Sequence, residues 1–382
     1  MKHGWEYKKL GEVASYINGF AFKPEQWTTE GVPIIRIQNL NNPDAPFNYY
    51  DGVVPEKVRV TNGDLLISWS ASLGTYIWEG SDAYLNQHIF KVEFDKGNID
   101  KMYLKYAVSS KLDAMANLVH GATMKHIVKK DFDNTLIPVP PLPNQRQIVS
   151  LLDKLSLVIE KKKQQVKELD NLAQAIFYDM FGDVNTNNHS YDIQTLSSVC
   201  EILTDGTHQT PEYTQDIVNG VKFLSAKDVV GGVINWNNIK YIPQSLHESL
   251  YSRLAPKRND ILLCKNGTTG IAAVVETDEI FDIYVSLALL RLKDGYLPKY
   301  ILYAINNPTT KQQFDDSLKG VGVPNLHLGE IKKTRIVVPP LPLQQSFAQK
   351  VESIERQKEL INQSIREAQT LFDSRMEYYF GE

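Results

Sequence analysis

From Ile148 onward, apolar residues recur in alternating steps of four and three. They are Ile148, Leu152, Leu155, Ile159, Val166, Leu169, Ala173, Ile176 and Met180, interrupted once by Lys162. This is a heptad, the period of a coiled-coil seam and not of a globular helix stripe. The same pattern returns 199 residues later as Phe347, Val351, Ile354, Lys358, Ile361, Ile365, Ala368, Phe372, Arg375 and Tyr379. Polar flanks such as Lys161-Lys162-Lys163-Gln164-Gln165 and Arg356-Gln357-Lys358-Glu359 suit an exposed face. Each helix either packs on its own domain or pairs with the other. A heptad sustained over roughly 35 residues favours pairing, which makes each helix a rod of about 50–60 Å.

The segments between the helices read differently. Short β-type runs, Val32-Pro33-Ile34-Ile35-Arg36-Ile37 and Asp64-Leu65-Leu66-Ile67-Ser68-Trp69, lie between Gly, Asn, Asp and Pro turns, and Tyr103 to Val108 begins a helical stretch. This order repeats. Gly220 to Leu224 answers Gly31 to Ile35, Asp260 to Leu263 answers Asp64 to Ile67, Gly270 answers Gly74, and Tyr300 to Ile305 answers Tyr103 to Val108. Ile137-Pro138-Val139-Pro140-Pro141-Leu142-Pro143 returns as Ile336-Val337-Val338-Pro339-Pro340-Leu341-Pro342, and each Pro cluster stops a strand and sets the direction of the helix after it. The offset between copies grows from 189 at Gly31 to 196 at Asp64 and 199 at Gly121. Insertions therefore fall between kept strands, as on a scaffold whose loops carry recognition.

These patterns predict an α+β protein. Two tandem mixed α/β domains, residues 1–142 and 184–341, are each followed by a helix, 143–183 and 342–382, and the helices pair as an antiparallel coiled coil. The 382 residues, 42% hydrophobic and 23% charged, suit several folded domains and exclude a disordered or fibrous chain. No apolar run approaches the roughly 18 residues of a membrane helix, and the start carries no signal-peptide pattern, so no membrane association and a cytoplasmic location are expected. The two cysteines, Cys200 and Cys264, have no ligand-like spacing and are expected as reduced thiols. A net charge of −4 argues mildly against nucleic acid, although charge can be segregated into patches.

Catalytic signatures are missing. No Gly-rich loop leads into Lys-Ser/Thr, and Gly267-Thr268-Thr269-Gly270 lacks the lysine and third glycine of a phosphate loop. The eight histidines are scattered without metal spacing, and the Pro-Pro pairs follow valine and precede leucine, unlike an amino-methyltransferase motif. No catalytic residue, metal site or cofactor is assigned to this chain.

The whole chain resembles the specificity subunit of a type I restriction–modification enzyme. In the first copy the resemblance rests on Leu85-Asn86-Gln87-His88-Ile89-Phe90, Gly121-Ala122-Thr123-Met124-Lys125-His126-Ile127 and Pro140 to Ile148. In the second it rests on Thr204-Asp205-Gly206-Thr207-His208-Gln209-Thr210-Pro211, Gly320-Val321-Gly322-Val323-Pro324-Asn325-Leu326 and Pro339 to Pro342. It implies that each mixed domain is a target-recognition domain for one half of a split, asymmetric double-stranded DNA sequence. The helices would set the gap, and two methyltransferase subunits and, where present, restriction subunits would carry S-adenosylmethionine, ATP and Mg²⁺. A pseudo-two-fold pair of domains matches the two-fold axis of the DNA backbone, with half-sites about 10 base pairs or about 34 Å apart. Arg146 follows the first Pro cluster and has no counterpart after the second, so a methyltransferase contact made by it would not recur there. The alternatives are a coiled-coil scaffold without a DNA role and an enzyme without a recognisable motif.

Candidate DNA contacts are polar and basic residues in loops beside the repeated strands. In the first domain they are Thr123, Lys125, His126 and Lys129, then Ser70 and Ser72 in a polar turn. Arg36 is a further candidate, placed in a β run to read guanine or to pair with a carboxylate such as Asp64. In the second domain they are Thr207, His208, Lys227, Lys265, Asn266, Thr268 and Asn325, with Lys265 to Thr269 answering Ser68 to Ser72. His88 is expected to pack internally.

Overall fold

The computed structural model describes residues 5–42, 44–117, 127–318 and 324–381. Each Pro-rich junction ends a short strand and starts a 40-residue helix, Leu142–Phe181 in one case and Leu341–Phe380 in the other. Proline is tolerated in a helix's first turn because its missing N–H would have no partner there anyway. The chain divides into two compact units, 1–163 with 363–382, and 164–362. Each unit thus takes the start of one long helix and the end of the other, cutting across a division into four consecutive segments.

In the first unit, Ser15–Asn18, Ile89–Glu93, Leu65–Ser68 and Gly74–Ile77 form an antiparallel sheet in that spatial order. A second sheet runs Asn48–Tyr50, Val32–Ile35, Ala83–Leu85, Arg59–Val60, with the middle pair parallel. Leu65 and Ile67 point into a core with Tyr103, Leu104 and Ala107 of helix Lys101–Asn117, while Leu66 points into a second core with Ile35, Val60 and Leu85. A strand covered on both faces reads as an unbroken apolar run, which is why Leu65-Leu66-Ile67 shows no alternation. Glu6–Lys9 pairs antiparallel with Leu136–Val139 beside the Pro junction.

The second unit repeats the plan. Cys200–Asp205, Leu287–Leu292, Ile261–Cys264 and Ala272–Val274 make the antiparallel sheet. Val221–Leu224 pairs parallel with Phe281–Ile283 and antiparallel with Lys240–Ile242, and Asp192–Thr195 pairs with Arg335–Val338. The helix Gln244–Arg253 stands where the first unit has the strand Arg59–Val60. Both cysteines are buried and free, and burial pushes both thiols up to about 12.

The heptad seams are visible as burial. Ile148, Leu152, Ile159 and Ala173 are buried in the first long helix, and Leu155, Lys162, Val166, Leu169, Ile176 and Met180 are half-buried. In the second, Phe347, Val351 and Ile354 are buried, and Lys358, Ile361, Ile365, Ala368, Phe372 and Tyr379 are half-buried. The helices run antiparallel within each unit. In the first, Ile148 and Leu152 share a core with Phe372, Met376 and Phe380; in the second, Phe177 and Phe181 pack on Phe347 at 5.4 and 5.5 Å. Lys358, on the seam, pairs with Asp170. One seam assignment is corrected: Arg375 is exposed and Met376 takes its place. The last two turns of each helix rotate onto a domain core, where Phe177 and Phe181 are the buried anchors of one and Phe380, with half-buried Met376 beside it, is that of the other.

Candidate nucleic-acid interface

In the second unit the ends of neighbouring strands bring several sequence-predicted residues together. Asp205 ends its strand, and Gly206 follows where an added Cβ would meet the Ile283 carbonyl oxygen at 2.1 Å, so only glycine lets the chain pass. Beyond the strand, the Thr207 N–H donates to the Ile283 carbonyl at 3.0 Å and its carbonyl accepts from Val285 N–H at 3.0 Å. His208 projects outward with its side chain 73% exposed and its Nε2 3.3 Å from Asp205 Oδ1.

Lys265 and Asn266 follow the neighbouring strand. The Lys265 N–H donates to the Ser286 carbonyl at 2.8 Å, and its carbonyl accepts from Leu326 N–H at 2.8 Å. Asn266 then bridges Asn325 in antiparallel fashion, which puts two half-buried amides side by side. Gly267, at φ +75°, turns the chain so that Thr268 is exposed. The Ser286 hydroxyl accepts from Ala226 N–H at 3.0 Å, tying exposed Lys227 into the same end of the sheet. Lys227 itself pairs with Asp228.

Lys265 is not an exposed donor. Its ammonium is buried and donates to Asp205 Oδ2 at 2.5 Å. Burial pushes the Asp205 pKa up, but the hydrogen bonds and charges of Lys265 and His208 outweigh it and hold the carboxyl below its ordinary value. Arg253 adds a hydrogen bond from Nη2 to the Asp205 carbonyl at 3.2 Å. Thr207, His208, Lys227, Asn266, Thr268 and Asn325 therefore surround a charged clamp of which Lys265 is one half.

The first unit builds the same backbone frame from other side chains. The Trp69 N–H donates to the His88 carbonyl at 3.1 Å, and the Trp69 carbonyl accepts from Ile127 N–H at 2.9 Å. Gly19 meets the Asn86 carbonyl as closely as Gly206 meets that of Ile283. These bonds pair Trp69, not Ser68, with Lys265, so the turns align one residue away from the sequence expectation. The indole Nε1–H donates to Asn18 Oδ1 at 3.2 Å, and the ring lies 4.9 Å from His88 and 5.5 Å from Phe90. His88 sits at φ +75°, a backbone region rare for a residue with a side chain.

Other first-domain candidates are dispersed. Ser70 is buried and Ser72 exposed on the turn after Trp69. Arg36 does not lie in a strand: the strand stops at Ile35, and Arg36 caps the short helix Ile37–Asn41. Its partners are Asn48 Oδ1 at 2.8 Å and the Trp27 ring at 4.8 Å, while Asp64 caps the Thr61 N–H instead. Lys129 opens the helix Lys129–Asn134, pairs with Asp133 at 2.9 Å and lies over the Phe90 ring. Thr123, Lys125 and His126 lie outside the described residues.

Sequence reading missed Asn18, Trp69, Asp205 and Ser286, and also a duplicated glutamine at the junctions. Gln145 and Gln344 are both buried. Their amide oxygens accept from Asp100 N–H at 2.8 Å and Leu297 N–H at 3.0 Å, and their amide groups donate to the Pro140 and Pro339 carbonyls. The signal was present, since Gln145 and Gln344 are 199 residues apart, whereas Arg146 beside Gln145 is exposed.

Two domains of one plan, each holding strand-end loops and each completed by two antiparallel helix segments, define a two-domain recognition protein. The profile of the type I restriction modification DNA specificity domain matches residues 2–170 and 188–370, and the chain belongs to that family. The EcoBI specificity subunit of Escherichia coli is 23% identical over 392 residues, covering 95% of this chain and 82% of that protein. The MjaVIII specificity subunit of Methanocaldococcus jannaschii is 23% identical over 380 residues, covering 92% and 86%. The fold is shared with the S subunit of a type I system from M. genitalium, at TM-score 0.54 and 14% identity over 99% of this chain and 96% of that one. A chain from a structure of type I complex assembly and conformational transition gives TM-score 0.57 at 18% identity, over 100% and 98%. The protein is a DNA sequence-specificity subunit with two recognition domains, the non-catalytic component of its system. Among the described residues, no helix is long and apolar enough to cross a membrane.

Proposed function

We propose that each domain reads one half of a bipartite, asymmetric DNA target, and that the paired helices fix the gap between the halves. The observation that carries this reading is the duplicated hydrogen-bond frame at the strand ends. The backbone bonds of Trp69 and Lys265 correspond one for one, yet the side chains they present differ. Equal frames carrying unlike side chains are what two readers of unlike half-sites require, because base edges discriminate through side-chain donors and acceptors. Asn266 and Asn325 suit the adenine edge, His208 and Lys227 suit phosphates or bases, and Ser72, Arg36 and Lys129 are the first domain's described counterparts. Thr123, Lys125 and His126 complete the proposed contacts.

In this reading two methyltransferase subunits dock on the specificity subunit, and restriction subunits join where the system has them. S-adenosylmethionine, ATP and Mg²⁺ are bound by those partners, which work in the cytoplasm. The partners also supply phosphate neutralisation, so a chain of net charge −4 suffices for the reading itself. Methylated-base sequencing of DNA treated with the assembled enzyme tests the proposal. The expected product is methylation at one two-part sequence with a fixed gap; methylation within an undivided motif would refute it.

A further inference from the structure

We infer that the buried Asp205–Lys265 ion pair is a positioning clamp that ties the second domain's two reading loops together, a role the first domain gives to Trp69 on Asn18. The inference rests on the reading of each domain as a half-site reader.

The clamp sits where it controls both loops. Asp205 immediately precedes Gly206-Thr207-His208, and Lys265 immediately precedes Asn266-Gly267-Thr268. Gly206 is held against the Ile283 carbonyl, whereas Gly267 has no neighbour within 4 Å of an added Cβ and leaves the loop after Asn266 free to turn. The orientation of Asn266 is therefore set from its N-terminal side by Lys265 and from across the bridge by Asn325. Lys265 is 6% exposed and Asp205 9%. Burying such a pair forfeits hydration of both charges, so what the pair supplies is one fixed geometry more than net stability.

Across the two domains the solution differs in kind. A neutral indole–amide hydrogen bond at 3.2 Å, backed by ring contacts with His88 and Phe90, replaces the charge pair. Loss of charge therefore has a target in one domain and none at the matching place in the other. The predicted asymmetry is in discrimination, not in the ability of either domain to sit on DNA.

The test uses the assembled enzyme on a randomised duplex pool, with methylation and footprinting as readouts. Lys265→Arg keeps the charge, and the double variant D205N/K265M removes both charges so that neither is left buried alone. K265R is expected to discriminate the second domain's half-site as the unaltered protein does. D205N/K265M is expected to lose at least tenfold of that discrimination while its footprint there persists and the first half-site is read unchanged. Unchanged discrimination in D205N/K265M overturns the clamp. So does an equal loss in K265R, which would make any change of side chain sufficient, or a lost footprint, which would mark an unfolded domain. If the unaltered assembly itself selects no two-part sequence, the half-site reading fails independently of the clamp.

Discussion

The ring of Phe380 lies 5.2 Å from that of Tyr103, so the far end of the second long helix completes the core of the first domain. In the second unit Phe181 meets Tyr300 edge-on at 5.0 Å. Phe380 is 1% exposed, and truncating a buried phenylalanine removes its transfer energy and leaves a cavity. Phe380→Ala is expected to destabilise the first unit by about 3–5 kcal/mol. Hydrogen exchange should show the loss in Lys101–Asn117 and leave Pro298–Ile305 protected. A uniform loss over both helices would contradict the assignment of Phe380 to the first core.

The glutamine at each junction makes a sharper prediction. Gln145 bonds two backbone groups, the Asp100 N–H and the Pro140 carbonyl. Gln145→Leu keeps the volume and strands both. A buried unsatisfied group costs about 1–3 kcal/mol, so a loss of about 2–4 kcal/mol is expected by chemical denaturation. Arg146→Ala, one residue on and exposed, should change stability by less than about 0.5 kcal/mol. Equal effects of the two would contradict the bridging role of Gln145.

Much of this architecture was legible in sequence because burial repeats with a period. The seam from Ile148 to Met180 is a one-dimensional signal, and it coincides with the half-buried and buried positions of the helix. It fails where the helix packs on a domain core as well as on its partner, which is why Arg375 stood in for Met376 and the anchors Phe177 and Phe181 went unnoticed. The recognition loops were legible only in part. Pairing Ser68 with Lys265 followed the polar letters of the turn, whereas the hydrogen bonds pair Trp69 with Lys265. A tryptophan and a lysine share no letter pattern; they share a place that depends on non-local strand ends. The placement of Arg36 in a strand was wrong for the converse reason, because an apolar run does not reveal that Asn39 Oδ1 accepts its N–H and starts a helix.

Beside the second sheet of the second domain, His247 Nδ1 lies 2.7 Å from Asp282 Oδ2, both buried, with the Tyr251 ring 4.8 Å from the imidazole. Burial pushes the Asp282 pKa up, and the His247 hydrogen bond and charge only partly offset it. A carboxyl raised on folding contributes stability that is full below its unfolded value, about 3.9, and is lost as pH rises through the folded value. Asp282→Asn can still accept from the imidazole without that loss. The stability of D282N relative to the unaltered protein is therefore expected to rise between pH 4 and pH 7 in denaturation series, and a flat difference would contradict the sign. His247→Ala leaves the carboxylate buried alone and should cost about 3–5 kcal/mol at pH 7.

The proposed ruler can be shortened without touching either reader. Between Ile159 and Ala173 the seam positions Lys162, Val166 and Leu169 are only half-buried, and none of them belongs to a domain core. Removing residues 162–168 and, at their repeat positions, 361–367 deletes one heptad from each helix and preserves the seam on both. Each rod loses about 10 Å at 1.5 Å per residue. At about 3.4 Å per base pair this corresponds to about three base pairs of gap. Both half-sites should remain legible, because the loops around Trp69 and Lys265 are unaltered, while methylation at the original spacing should fall at least tenfold. A pool of duplexes with the same half-sites and graded gaps would reveal a new optimum or none. Activity retained in full at the original gap would show that something other than these helices sets the distance.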